Sequence, residues 1–190
     1  QIQSMQSELR TQIAQVHGQA HLDGLTGVKS KHAYLEMEKT LDEILQYNEL
    51  DHECLKLEVT ESAYTENADQ VIQVVESLRR KGYIVEMDDF GTGYSSLNML
   101  SAMPVDVLKM DQAFVRNIDQ NEKDIQLVAL ILGIADNLKI PVIAEGVETE
   151  EQLNLLKKLG CSVVQGYYFS KPLLAVDFES EFIVPKPETK

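Results

Sequence analysis

Cysteine is scarce in this chain, which has only Cys54 and Cys161 among its 190 residues. The two lie far apart and form neither a Cys-x-x-Cys pair nor a cysteine and histidine spacing, so the sequence contains no pattern of a zinc site or a disulfide framework. We therefore expect two reduced thiols, as in a cytoplasmic protein.

Long apolar segments are also missing. No run approaches the roughly 18 residues that a membrane-spanning helix needs, and the segment from Gln1 to Gln15 is polar, without the apolar stretch of a signal peptide. These absences predict a soluble cytoplasmic chain with no direct membrane insertion.

Positive charge is in the minority, with 17 lysines and arginines against 31 aspartates and glutamates and a formal net charge of −14. Proteins that bind nucleic acid polymers need clustered lysine and arginine to neutralise phosphates. The balance therefore excludes a nucleic acid polymer as partner. Most of the extra carboxylates are typical of a solvated surface, but several of them recur where apolar runs end.

Five short apolar runs end in charged or polar residues. They are LKLEVTES (55–62), EMDDFGTGYSSL (86–97), VLKMD (107–111), VIAEGVE (142–148) and VVQGYYFSKPL (163–173). The strand starts that we place near Leu55, Tyr83, Val107, Pro141 and Val163 leave room for a helix in each interval. The pattern predicts an α/β fold with right-handed crossovers, and an incomplete (β/α) barrel of the TIM type with about five βα units.

An N-terminal helical segment precedes these units. Residues 1–20 carry apolar side chains at steps of three and four, which predicts an amphipathic helix, and we favour a coiled-coil-like helix over one that packs on the domain. A turn at residues 23–27 follows. A second helix is expected from about Ser30 to Tyr47, with one apolar face formed by Leu41, Ile44 and Leu45.

The polar residues that end the strands should meet, because the carboxyl ends of parallel strands lie at one rim of a sheet. They are Glu58, Glu61, Asp88, Asp89, Lys109, Asp111, Glu145, Glu148 and Gln165. A cluster of carboxylates with one lysine is typical of a site for a hard divalent cation and a phosphate-type substrate.

Asp88 and Asp89 are the strongest members of this set, since two adjacent aspartates at a strand end repel each other unless a cation or a lysine neutralises them. Other members have plain structural alternatives. Glu58 could cap a helix or pair with an arginine, and Lys109 needs a carboxylate partner either to orient a water or to satisfy its charge. The aromatic residues 167–169 could stack on a base, but such residues more often belong to a core or an interface.

The strings LEVTES, DDFGTGYSSL, LKMD, AEGVE and GCSVVQGYYFSKPL, in this order, resemble the C-terminal part of EAL domains, the cyclic-di-GMP phosphodiesterases of bacterial signalling. The resemblance covers roughly residues 50–183. The string DGLTGVKSKHAY looks like the opening of a GGDEF domain, the diguanylate cyclase module that often precedes EAL. We therefore divide the chain into a signalling helix (1–21), a GGDEF-like fragment (22–49) and a partial EAL domain (50–184).

The resemblance implies a role for each strand-end residue. Glu58, Asp88 and Asp89 correspond to metal ligands, and Lys109 to the lysine that contacts the catalytic water. Glu145 corresponds to the acidic residue that helps complete the metal and water site, and Asp111 belongs to the catalytic set. Glu61 and Glu148 support the loop after the aspartates and the surroundings of the site. Gln165 lies near the substrate phosphodiester. The implied reaction is hydrolysis of cyclic di-GMP to pGpG with Mg²⁺ or Mn²⁺.

The chain departs from the EAL pattern in its first half. It contains no Glu-Ala-Leu string, and therefore lacks the metal-binding glutamate of that motif, the nearby arginine that holds phosphate, and the asparagine ligand of the next strand. We predict very slow or absent hydrolysis by this chain alone, and keep as an alternative a noncatalytic nucleotide-binding or protein-interaction module.

Five units cannot close an eight-stranded barrel, so the open strand edges predict a homodimer or higher oligomer. The GGDEF string is absent too, which excludes cyclase activity.

Overall fold

A computed structural model describes residues 31–91 and 97–183. The strands form one five-stranded parallel sheet in chain order. They are β1 (Lys56–Thr60), β2 (Ile84–Phe90), β3 (Val107–Met110), β4 (Val142–Ala144) and β5 (Val163–Val164). Each begins within one residue of its predicted start. The predicted α/β fold with five parallel βα units is confirmed, and β1 and β5 lie at the two edges of this sheet.

Helices occupy the intervals before, between and after the strands. They are α1 (Lys31–Tyr47), α2 (Glu61–Glu66), α3 (Ala68–Arg80), α4 (Leu97–Ala102), α5 (Gln112–Val115), α6 (Glu122–Leu138), α7 (Glu150–Lys158) and α8 (Ala175–Phe178). The helix predicted for residues 1–20 and the turn at residues 23–27 lie outside the described residues. Within the described part of the chain, none of the helices is long and apolar enough to span a membrane.

The core lies between the helices and one face of the sheet. Side chains alternate between the two faces of a strand, and one set of alternate positions is fully buried: Val85, Met87, Leu108, Met110 and Ala144 each have 0% exposure. The other face carries Glu58, Glu86 and Lys109. In a closed barrel that face would point inward, so the polar residues of this chain lie on the concave side.

The first helix of the described residues, α1, shares this core. Leu41 and Leu45 are buried in the same apolar cluster as the strands, and Asp42 joins the helix to the end of α3 and the start of β2. Its carboxylate accepts hydrogen bonds from Lys81 Nζ at 2.5 Å and from Tyr83 Oη at 2.8 Å. The domain boundary at residue 49 stays a prediction, while α1 packs as part of the described fold.

Acid should weaken this attachment of α1. Burial alone would raise the pKa of Asp42, but the hydrogen bonds from Lys81 and Tyr83 and the contact with His52 lower it overall. When folding lowers the pKa of a carboxyl group, the group stabilises the folded state at any pH above its pKa in the unfolded chain, which is about 3.9 for aspartate. This stabilisation is lost as the pH falls through the pKa of the group in the folded chain.

We expect Asp42→Asn to lower the free energy of unfolding by about 1 kcal/mol at pH 7, a figure reduced for partial solvent screening. The difference should shrink below a pH of about 4. Urea denaturation at neutral and acid pH measures both. Glu43→Gln, in the exposed pair with Lys39 on the same helix, is the matched control and should change little. A constant difference across the pH range would contradict the charged role of Asp42.

Candidate active site

A β-bulge brings the two adjacent aspartates to the same end of the sheet. Met87 pairs with Leu108 and Phe90 pairs with Met110, so β2 advances three residues while β3 advances two. The extra residue breaks the alternation that would send neighbouring side chains to opposite faces. Asp89 takes a left-handed backbone conformation, with a φ of 55°, which aspartate tolerates better than most residues.

Three carboxylates converge beyond the bulge. Asp88, Asp89 and Glu145 each offer an oxygen, and these oxygens all lie within 4.8 Å of one another. Glu145 directly follows β4, and its N–H donates to the carbonyl of Met110 at 3.0 Å. The structure therefore groups the two aspartates with Glu145, the residue that the resemblance assigns to completion of the metal and water site. The third metal ligand that the resemblance implies, Glu58, contacts Lys109 instead. Oxygen ligands of this kind suit Mg²⁺ or Mn²⁺.

Lys109 lies beside these carboxylates. Its Nζ is 2.5 Å from Glu58 Oε1 and 2.9 Å from both Asp88 Oδ1 and Glu145 Oε1, and its side chain is 8% exposed. Burial alone would lower the pKa of Lys109, but the three carboxylates raise it above its ordinary value. The lysine is therefore charged and donates a hydrogen bond to Glu58.

The charge balance of the cluster fits a bound cation. Burial, followed by the charges of Asp88 and Asp111, raises the pKa of Asp89. Burial also raises the pKa of Glu145, with Lys109 opposing the shift. Asp88 Oδ1 is buried and makes no hydrogen bond of good geometry within the described residues, its contact with Lys109 being an ion pair. A divalent cation would offset this excess negative charge.

Glu61 supports the turn that follows the aspartates. It stands at the start of α2, its side chain is buried, and its Oε2 accepts a hydrogen bond from the Gly91 N–H at 3.0 Å. The carboxylate at the end of β1 is thereby tied to the end of β2. Gly93, which the sequence places in the same loop, lies outside the described residues.

The remaining predicted residues divide into two near the cluster and one away from it. Gln165 Nε2 donates to Glu145 Oε1 at 2.5 Å, and Asp111 caps α5 by accepting a hydrogen bond from the Ala113 N–H at 2.7 Å. Glu148 is exposed, and its backbone N–H donates to Gln152 Oε1 at the start of α7. The structure gives it a position in the helix-capping turn, rather than in the cluster.

Sequence reasoning missed Glu86. This glutamate is buried on the concave face and pairs with Lys56 Nζ at 2.9 Å. The signal was available, because Glu86 precedes Asp88 by two residues, and residues two apart in a strand share a face.

Comparison with known proteins identifies the family to which this chain belongs. The EAL domain family matches residues 1–172. That match includes residues 22–49, and it gives no support to a GGDEF segment there. One curated relative, the cyclic di-GMP phosphodiesterase NbdA of Pseudomonas aeruginosa, is 47% identical over 119 residues, which is 63% of this chain and 15% of NbdA. The chain thus spans a small part of this relative.

Solved structures share the fold. The PaMucR phosphodiesterase in complex with c-di-GMP has a TM-score of 0.71 and 35% identity, over 75% of this chain and 57% of that one. BlrP1 of Klebsiella pneumoniae, with manganese and cyclic di-GMP, has a TM-score of 0.68 and 29% identity, over 85% of this chain and 41% of that one. The five-stranded sheet therefore matches part of the EAL barrel.

Proposed function

Because this chain belongs to the EAL domain family, we propose that it carries the cation and lysine part of a cyclic-di-GMP phosphodiesterase site. The observation that carries the proposal is the convergence of Asp88, Asp89 and Glu145 within 4.8 Å, with charged Lys109 in contact with two of them. The reaction is hydrolysis of one phosphodiester bond of cyclic di-GMP to give pGpG.

Each residue has a distinct task in this site. Asp88, Asp89 and Glu145 would hold Mg²⁺ or Mn²⁺, which when bound activates water and stabilises the leaving oxygen. Lys109 donates hydrogen bonds, and its position between Asp88 and Glu145 suits it to orient a water at the edge of the cluster.

Three further residues hold these groups in place. Glu58 fixes the ammonium group of Lys109, Gln165 orients Glu145, and Asp111 fixes the start of α5. The charge of Asp111 also acts on Asp89.

Turnover by this chain should be far slower than about 1 s⁻¹, a common enzyme rate. The chain has no Glu-Ala-Leu string, so the glutamate ligand and the phosphate-holding arginine of that motif are absent. A poorly held phosphate and an incomplete cation shell both raise the barrier. Release of pGpG in the presence of Mn²⁺ can be followed by chromatography.

Asp88→Asn is the control for that experiment. Any hydrolysis due to this site should disappear in the variant, and an equal rate in both proteins would overturn the proposal. A rate of about 1 s⁻¹ or more in the unaltered chain would show that another residue replaces the missing ones.

A noncatalytic module is the second candidate function. The aromatic side chains of Tyr167, Tyr168 and Phe169 are between 41% and 57% exposed beside β5, where they could stack on the bases of a nucleotide. Such a module would bind cyclic di-GMP without releasing pGpG, and with the same affinity in Asp88→Asn. Calorimetric titration with and without Mn²⁺ distinguishes the two functions.

We further propose that the chain forms a homodimer through the edges of this sheet, at which no further strand pairs among the described residues. The edge strand β5 exposes 48% of Val163, and exposed apolar side chains continue beyond it: Tyr167, Tyr168, Phe169, Leu174, Val176, Phe178, Phe182 and Ile183. Unpaired strand edges with apolar side chains recruit other chains.

Light scattering should report the dimer mass for the unaltered chain and the monomer mass for Val163→Lys, because a lysine on an edge strand opposes pairing. Leu35→Lys on α1, where 54% of the leucine is exposed, is the control and should leave the dimer intact. A clean monomer of the unaltered chain at high micromolar concentration would contradict the assignment.

A further inference from the structure

A glycine with a left-handed backbone follows each group of candidate cation ligands. Gly91 follows Asp89 by two residues and has a φ of 98°, while Gly146 directly follows Glu145 and has a φ of 73°. Both values lie in the left-handed region that side chains rarely adopt. The chain therefore turns sharply just after the aspartate pair and just after Glu145.

Both turns pack against the same short helix, α5. A Cβ atom placed on Gly91 would lie 2.1 Å from Phe114 Cε2, and one placed on Gly146 would lie 2.4 Å from Gln112 Cβ. These separations mean that the backbone of each turn is already in close contact with the helix. The helix thus separates the end of β2 from the end of β4.

The helix is itself fixed in place. Asp111 caps its first turn, and Val115 is fully buried in the core. Lys109 is only two residues before the cap. The strand that supplies the lysine therefore continues directly into the helix against which both glycine turns pack.

We propose that Phe114 is a positioning residue that sets the separation between the aspartate pair and Glu145. The proposal rests on the cation site of the proposed function. Three carboxylates close together repel one another, so their spacing must come from the surrounding structure. The ring of Phe114 limits the movement of the Gly91 turn, while the hydrogen bond to Glu61 holds the same turn independently.

Removal of the ring should therefore weaken cation binding without removing a ligand. Supporting residues outside the ligand set commonly change metal affinity by about 10–100-fold. We expect Phe114→Ala to raise the Kd for Mn²⁺ about tenfold. Phe114→Leu, which keeps part of the volume, should give an intermediate Kd. The readout is a titration of the 190-residue chain with Mn²⁺, followed by electron paramagnetic resonance of the free ion.

Two variants serve as controls. Gln112→Ala keeps the Cβ atom that meets Gly146 and should keep the Kd of the unaltered chain. Val75→Ala removes core packing on α3, away from α5, so it should lower the melting temperature but leave the Kd unchanged. If Phe114→Ala does not fold by circular dichroism, Phe114→Leu decides the question, since a Kd equal to that of the unaltered chain would overturn the proposal.

Asp88→Asn separates this proposal from the proposed function. Mn²⁺ binding that is lost in Asp88→Asn but unchanged in Phe114→Ala would refute the positioning role and leave the cation site intact. Undiminished binding in Asp88→Asn would refute the cation site, and the positioning role with it. Loss in Asp88→Asn together with a raised Kd in Phe114→Ala supports both.

Discussion

Replacement of Lys109 by methionine should lower the free energy of unfolding by about 3 kcal/mol at pH 7. The ammonium group contacts Glu58, Asp88 and Glu145, and its removal leaves their charges without that partner. Breaking a buried ion pair from one side is strongly destabilising, because the remaining charge has lost both water and its counterion.

The exposure of the three partners sets the size of this effect. The Glu58 side chain is 49% exposed and can be hydrated again, whereas Asp88 and Glu145 are 19% and 16% exposed. The expected loss in the free energy of unfolding is therefore at the lower end of the range for fully buried ion pairs. Urea denaturation of the variant without metal measures it.

Mn²⁺ should restore much of the lost stability, since it supplies positive charge at the same carboxylates. Lys39→Met is the control, because Lys39 forms an exposed pair with Glu43, and such pairs contribute about 0–1 kcal/mol. A Lys109→Met protein that unfolds at the same urea concentration as the unaltered chain would show that the carboxylates do not depend on the lysine.

The sheet could be predicted closely from the sequence because its signals are local. Each apolar run is bounded by polar residues, and each interval has the length of a crossover helix. Thr149 and Gln152 also form a capping box, a motif that is defined by their spacing of three residues in the sequence. In these segments a few neighbouring residues determine both the type of secondary structure and where it begins and ends. The strands and helices could therefore be predicted without the contacts between distant segments.

The arrangement inside the site depends on contacts between distant segments. Register with β3 places the bulge beside Asp88 and Asp89, and nothing in the adjacent aspartates themselves indicates it. For the same reason, the sequence could not show which three carboxylates contact Lys109. The strand ends were predictable as a set, but the partners within the set follow from the register and the turns.

Asp89→Asn should separate stability from cation binding. Burial and the charges of Asp88 and Asp111 raise the pKa of Asp89, which means that ionised Asp89 destabilises the folded chain at pH 7. Without metal, we expect the asparagine variant to gain about 0.5 kcal/mol, a figure reduced because Asp89 is partly exposed. Asparagine also tolerates the left-handed backbone at this position.

Cation binding should change in the opposite direction in the same protein. The variant removes a charged oxygen ligand, so its Kd for Mn²⁺ should rise by about 100-fold or more, beyond the usual effect of residues outside the ligand set. Thermal unfolding without metal and a Mn²⁺ titration measure the two effects. Asp136→Asn, with a side chain that is 84% exposed, is the control and should change neither. If Asp89→Asn lowers stability in the absence of metal, the folded chain stabilises this charge, and the carboxylates do not require a cation to offset their repulsion.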